Sequence, residues 1–228
     1  MIIAIDGPSG AGKSTLGKML SKQLGLLYLD TGAMYRAVAL SAIRSGIDLK
    51  DEDAVTEAAR NAEIKLKGEV DSMCVFLNGD DVSDAIRTLE IAQAASIVST
   101  ISGVRRTMVE LQRKLGESEK GCVLEGRDIG SVVFPNADIK FFLTAKPDAR
   151  AHRRFEEDKA KGRVSTYEQT LGEINERDQR DVARADSPLT IAEDAVVIDT
   201  SELDLTEVFE QMLEKIGEVN AAAASEQR

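Results

Sequence analysis

Residues 7–15 read GPSGAGKST and satisfy the spacing G-x-x-x-x-G-K-[ST] in full, through Gly7, Gly12, Lys13 and Ser14. The chemistry open to this spacing is the holding of phosphates. Glycines let the backbone curl with its N–H groups inward, and a following helix adds the positive end of its dipole. Gly7, Pro8, Ser9, Gly10, Ala11, Gly12, Lys13, Ser14 and Thr15 form the expected cradle. Lys13 is placed to reach the outer phosphates of a nucleoside triphosphate. The Ser14 hydroxyl is placed to join Mg²⁺, with waters completing the shell.

Three further stretches carry charge, two of them directly behind apolar runs. LDTGAMYR (29–36) sets Asp30, Thr31 and Arg36 after one such run, and Arg36 suits a charge-assisted fork on a phosphate. Tyr35 reads as simple packing. EGRDIGSVVFP (125–135) sets Arg127 and Asp128 after another, as a second anion-sized arginine site. NERDQRDVARADSP (175–188) spaces Arg177, Asp181 and Arg184 at i, i+4 and i+7, on one helix face. Taken alone, that face reads as solvated ion pairs. The lone His152 reads as a surface histidine.

These groups need a scaffold that gathers them. The apolar runs Ile2–Ile5, Leu26–Leu29, Val123–Leu124, Ile139–Leu143 and Val196–Ile198 fit strands buried on both faces of a parallel sheet. Helical stripes alternate with them. Leu16, Met19, Leu20 and Leu24 precede a Gly25 stop, and Ser102 is the expected cap of a helix bearing Val104, Met108, Leu111 and Leu115. Pro147 opens a helix towards Gly162, Ser165 or Thr166 opens the next, and Leu205–Ile216 carries the last. The alternation predicts a doubly wound α/β fold whose active loops lie at the carboxyl ends of the strands. Residues 63–83 break it: Asn78-Gly79 between extended segments predicts an antiparallel hairpin insert. The tail NAAAASEQR lacks periodicity and is expected to fray.

Composition narrows the function. A net charge of −11 disfavours a general nucleic-acid binder, and only 4% aromatic residues leaves little for base stacking. Yet Arg36, Arg105, Arg106, Arg127, Arg150, Arg153, Arg154, Arg177, Arg180 and Arg184 cluster locally, which suits a small anion in a pocket. No apolar run is long enough for a membrane span. Cys74 and Cys122 lack metal-ligand spacing, and the chain starts directly on a strand pattern, so a cytoplasmic location without a signal peptide is expected. The absence of an NKxD run argues against a GTPase, and the length against a motor. No helix shows a sustained surplus apolar face, so a monomer is expected.

Taken in order, IDGPSGAGKST, LDTGAMYR, GRDIGSVVFP and ERDQRD…R…P resemble the bacterial cytidylate kinases, a branch of the nucleoside monophosphate kinases, over residues 1–217. The phosphate loop is widely shared; the other three motifs together are specific. The resemblance implies a three-layer P-loop fold around five parallel strands in a single domain. Its core would span about 1–30, 100–150 and 164–217, its monophosphate-binding lobe about 31–99 and its short helical lid 150–163. It implies transfer from ATP, with Mg²⁺, to CMP and dCMP. Thr31, Arg105 and Asp128 would face the base, with Arg184 assisting. Arg36 and Arg127 would grip the acceptor phosphate, and Ser96, Arg177 and Asp181 the ribose. Arg153 or Arg154 would reach the transferring phosphoryl group, so the catalytic set would be Lys13, Arg127, Arg153 and Arg154. A shikimate kinase-like enzyme shares the loop and size but fits the paired motifs poorly. A nucleotide-binding regulator without turnover is the alternative of a different class.

Overall fold

The computed structural model describes residues 1–117, 121–160 and 162–226. The chain opens with strand β1 (Ile2–Asp6), the phosphate loop and helix α1 (Lys13–Leu24). Leu16 and Leu20 of α1 are buried, and Gly25, at φ 67°, ends the helix as its position predicts. β2 (Leu27–Asp30) runs straight into α2 (Thr31–Arg44), whose cap is Asp30, accepting from the Ala33 N–H at 3.0 Å. α3 (Glu52–Asn61) follows, then the insert: β3 (Ile64–Lys67), β4 (Cys74–Leu77) and β5 (Asp80–Asp81). These pair antiparallel, and Asn78 (φ 53°) and Gly79 (φ 95°) make the tight turn that their sequence predicts.

α4 (Leu89–Val98) and α5 (Ser102–Gly116) return the chain to β6 (Cys122–Glu125). Next come β7 (Ile139–Thr144), α6 (Pro147–Ala160), α7 (Tyr167–Val182), β8 (Val196–Asp199) and α8 (Leu205–Glu226). The five expected runs are the five strands of one parallel sheet, in the order β2-β6-β1-β7-β8. The three-layer α/β fold with a separate small antiparallel sheet is therefore the observed one. β1 lies between β6 and β7, so the chain reverses its winding at β1. A crevice forms there, outside the carboxyl ends of the strands.

Local expectations fail in two places. The position before α5 is held by Ile101, with no side-chain cap; Ser102 is already helical. The tail is helical from Asn220 rather than irregular: α8 runs on to Glu226, because an alanine run has high helix propensity without needing an apolar stripe. Gln227 and Arg228, and Lys161 of the expected lid, lie outside the described residues. Thr166, not Ser165, caps α7, in a reciprocal box with Gln169. Helices α2, α3 and α4 are additional to those expected. α2 buries side chains around most of its circumference, so it shows no clean stripe.

Candidate active site

One cavity of about 700 Å³ opens at the switch point, in the size range of a small-molecule site. The phosphate loop forms one wall. Gly7, at φ 141°, passes so close to β7 that a Cβ would lie 2.0 Å from the Leu143 carbonyl oxygen. No other residue fits there. Arg150 braces the loop from α6, donating to the Ser9 carbonyl at 3.1 Å, to the Ala145 carbonyl at 2.9 Å and to Asp178 at 2.6 Å. Ser9 through Leu16 line the cavity; Gly7 and Pro8 lie behind it, among the described residues.

Lys13 is buried, and its Nζ donates to the Pro8 carbonyl at 2.6 Å. Burial, and then the Arg127 guanidinium, hold its ammonium well below the ordinary lysine range. Ser14 Oγ donates to Glu125 Oε2 at 2.8 Å, and the Tyr28 hydroxyl donates to Oε1. Glu125 ends β6 directly opposite Asp30 of β2. Burial, and then Asp30, push its carboxyl above the usual range. Glu125 is a site residue that the motif reading passes over. Its signal is an acidic residue closing a strand next to the switch point.

The opposite wall belongs to the arginines. Arg105 pairs with Asp128, both almost fully buried, and donates to the Ser99 carbonyl at 3.1 Å. Asp181 sits beneath the wall, between Arg127 (2.7 Å) and Arg184, and Arg184 reaches Ser99 Oγ at 2.9 Å. Asp181 and Arg184 are buried and Arg177 is half-buried, so the three form an interior cluster rather than a solvated face, and Arg184 lies past the end of α7. Arg177 Nε is buried without a hydrogen-bond partner among the described residues, and burial and then Arg127 push that guanidinium down to about 9. Arg36 lines the same space with no carboxylate in salt-bridge range among the described residues. Positive charge is therefore in excess where Arg36, Arg127 and Arg177 converge.

The structure brings most of the expected residues to this cavity: Thr31, Arg36, Arg105, Arg127, Asp128, Arg177 and Arg184, together with Arg153 and Arg154. Ser96 is not on its wall; its hydroxyl accepts from Arg180 at 2.9 Å, and Ser99, one helical turn on, lines the space instead. Asp181, expected at the ribose, is not on the wall either; it pairs with Arg127 and Arg184 behind it. Arg153 is tied to Thr200, bonding its hydroxyl at 3.0 Å and its carbonyl, whereas Arg154 pairs with Asp158 at 3.2 Å. Arg106 faces Asp186 at 3.9 Å on the surface. His152 is exposed, as expected. Tyr35 packs into the core, as expected, but not only there. It lines the cavity, Arg105 lies over its ring at 5.6 Å, and burial pushes its hydroxyl up to about 12.

A cradle and an arginine-rich wall facing one cavity make a site for joining two phosphate-bearing molecules, and comparison with known proteins agrees. The family model for cytidylate kinase matches residues 3–218. The chain belongs to the cytidylate kinase family. It is 52% identical to the cytidylate kinase of Caldanaerobacter subterraneus subsp. tengcongensis over 94% of this chain and 93% of that one. It is 48% identical to the cytidylate kinase of Pelotomaculum thermopropionicum over 94% and 95%. A gluconokinase from Sinorhizobium meliloti 1021 shares the fold, with a TM-score of 0.50 at 14% identity over 100% of this chain and 97% of that one. Membership makes the chain a nucleoside monophosphate kinase and disfavours both the shikimate kinase-like and the regulator readings. No helix among the described residues is long and apolar enough to cross a membrane.

Proposed function

We propose that the chain transfers the terminal phosphoryl group of ATP to CMP and dCMP, giving ADP with CDP or dCDP. The observation that carries this reading is the shared cavity. The phosphate loop faces Arg36, Arg127 and Arg177, where arginines outnumber the one carboxylate Asp181 that pairs with Arg127, and where the buried Arg177 Nε has no hydrogen-bond partner among the described residues; such a place suits an anion. Phosphoryl transfer asks for alignment and charge neutralisation more than covalent help. Lys13 and the loop amides hold the donor phosphates, while Arg36 and Arg127 hold the acceptor. Arg153 and Arg154 approach from the lid side. No general base is required, because the acceptor phosphate is already anionic. Movement of the 31–99 lobe and the 150–163 lid would exclude water.

The oxygen donors present suit Mg²⁺. Ser14 Oγ and the Glu125 carboxylate lie 2.8 Å apart, with Asp30 opposite in register. Phosphates and water would supply the ion's other ligands. When bound, Mg²⁺ would neutralise charge on the outer phosphates.

Base choice follows from hydrogen-bond polarity. Thr31 Oγ1 donates to the Glu125 backbone carbonyl at 2.6 Å. That carbonyl can only accept, so the hydroxyl proton is spent and Thr31 has only lone pairs left to offer. Asp128 also accepts. Two acceptors suit the exocyclic amino group of cytosine and oppose the carbonyl that uracil carries there. The full reading is a cytoplasmic monomer, checked by sedimentation. The reaction is tested by ADP release with CMP, dCMP, UMP, AMP and shikimate as acceptors. Release with CMP and dCMP well above the rest is expected. Equal release with all five, or none, would overturn the reading.

A further inference from the structure

We propose that Asp6 is a positioning residue for the acceptor half of the site, clamping the turn that carries Arg127 and Asp128 against the strand that launches the phosphate loop. Asp6 is the last residue of β1 and is buried. Its two carboxylate oxygens are both used: Oδ1 accepts from the Ile129 N–H at 2.8 Å and Oδ2 from the Gly130 N–H at 2.7 Å. Those amides follow Arg127 and Asp128 directly in the chain.

The clamp is needed because of how that turn is built. Residues 129–133 form one wide turn, with i→i+5 bonds from the Val133 N–H to the Asp128 carbonyl (3.1 Å) and from the Phe134 N–H to the Ile129 carbonyl (2.7 Å). The first amides of such a turn have no partner within it. Buried, they need acceptors from elsewhere, and Asp6 supplies two at once. There is little slack. A Cβ on Gly130 would sit 3.0 Å from the Lys140 side chain and 3.4 Å from Asp6 Oδ2.

Holding a carboxylate here is costly. Burial pushes Asp6 up to about 6, Asp128 adds to this, and the two amides and Lys13 only partly offset it. A group kept for stability alone would not need the charge. The phosphate loop, by contrast, has its own supports in the Leu143 contact at Gly7, the Lys13–Pro8 bond and the Arg150–Ser9 bond. Loosening the clamp therefore shifts Arg127 and Asp128 while the donor cradle stays in place.

This inference rests on the acceptor reading above, and the test separates the two. In Asp6→Asn the side chain keeps one acceptor oxygen and turns an N–H donor onto the other backbone N–H. Kinetics are measured with CMP varied at saturating ATP, with ATP varied at saturating CMP, and with UMP in place of CMP. The expected result is a KM for CMP raised about tenfold or more, with the CMP/UMP ratio of kcat/KM lowered. The KM for ATP stays within about twofold, and Tm does not fall steeply, because a buried charge has gone. A merely structural role would raise both KM values together or lower Tm alone, and either result overturns the proposal, as does an unchanged KM for CMP. If Asp6→Asn does not fold, the wild-type CMP/UMP ratio is followed from pH 8 to 5.5, where titration of the shared phosphate cancels. Lys13, Asp128 and Lys140 are the charged groups facing Asp6, with Glu125 one strand over. A ratio falling towards pH 5.5 supports the clamp and a flat one overturns it. If wild type phosphorylates neither pyrimidine, it is the functional reading that fails, not the clamp.

Discussion

Asp128 is expected to read the base and also to hold Arg105, and the two roles separate by choice of substitution. In Asp128→Ala the Arg105 guanidinium, 1% exposed, keeps only the Ser99 carbonyl at 3.1 Å and the Tyr35 face at 5.6 Å. Removing one partner of a buried ion pair costs about 3–5 kcal/mol. At roughly 2–4 °C per kcal/mol for a chain of this size, Tm falls by about 6–20 °C. That variant reports on stability. Asp128→Asn keeps the shape and one acceptor, but whichever way the amide turns, an N–H meets either Arg105 or the cytosine amino group. Leaving a buried polar partner unsatisfied costs about 1–3 kcal/mol, so the preference for CMP over UMP should shrink by about 5- to 150-fold. The assay is kcat/KM for CMP and UMP in wild type and in Asp128→Asn, well below either Tm. An unchanged ratio accompanied by a lowered Tm would refute base readout and leave Asp128 as a support for Arg105.

Lys13→Ala should lower kcat by about 10³ or more while leaving Tm level or raised, since burial and the neighbouring Arg127 and Arg177 already disfavour its charge; single-turnover assays and thermal unfolding check both. Arg36→Ala should raise the KM for CMP by about 10- to 150-fold, the worth of one charge-assisted contact, with the KM for ATP unchanged. Equal loss of both substrates would misplace Arg36. Glu125→Gln turns a donor onto either Ser14 Oγ or Tyr28 OH, so the Mg²⁺ needed for half-maximal rate should rise about 10- to 100-fold. A parallel Mg²⁺ titration of ATP-dependent thermal protection separates metal affinity from turnover, and unchanged Mg²⁺ dependence in both would remove Glu125 from the metal's surroundings.

Sequence alone determined what local physics controls. The five strands are continuous apolar runs, the phosphate loop needs its glycines and lysine at fixed offsets, and Asn78-Gly79 makes its turn from its own backbone preferences. The fold and the family are legible from these together with the other three motifs. What tertiary structure decided is which distant residues share a wall. Asp6 meets Ile129 and Gly130 across 123 and 124 positions of chain, and Glu125 meets Ser14 across 111. Those meetings depend on β1 lying between β6 and β7, an order set by crossovers that no local pattern encodes. The same holds for the choice of Ser99 over Ser96 at the wall. Both are plausible on a polar face, and the choice turns on how α4 meets α7, where Arg180 takes the Ser96 hydroxyl and leaves Ser99 to Arg184. Tyr35 was legible only as an aromatic on an apolar helix. Its place beside the cavity, with Arg105 over its ring, depends on α5 folding back beside α2.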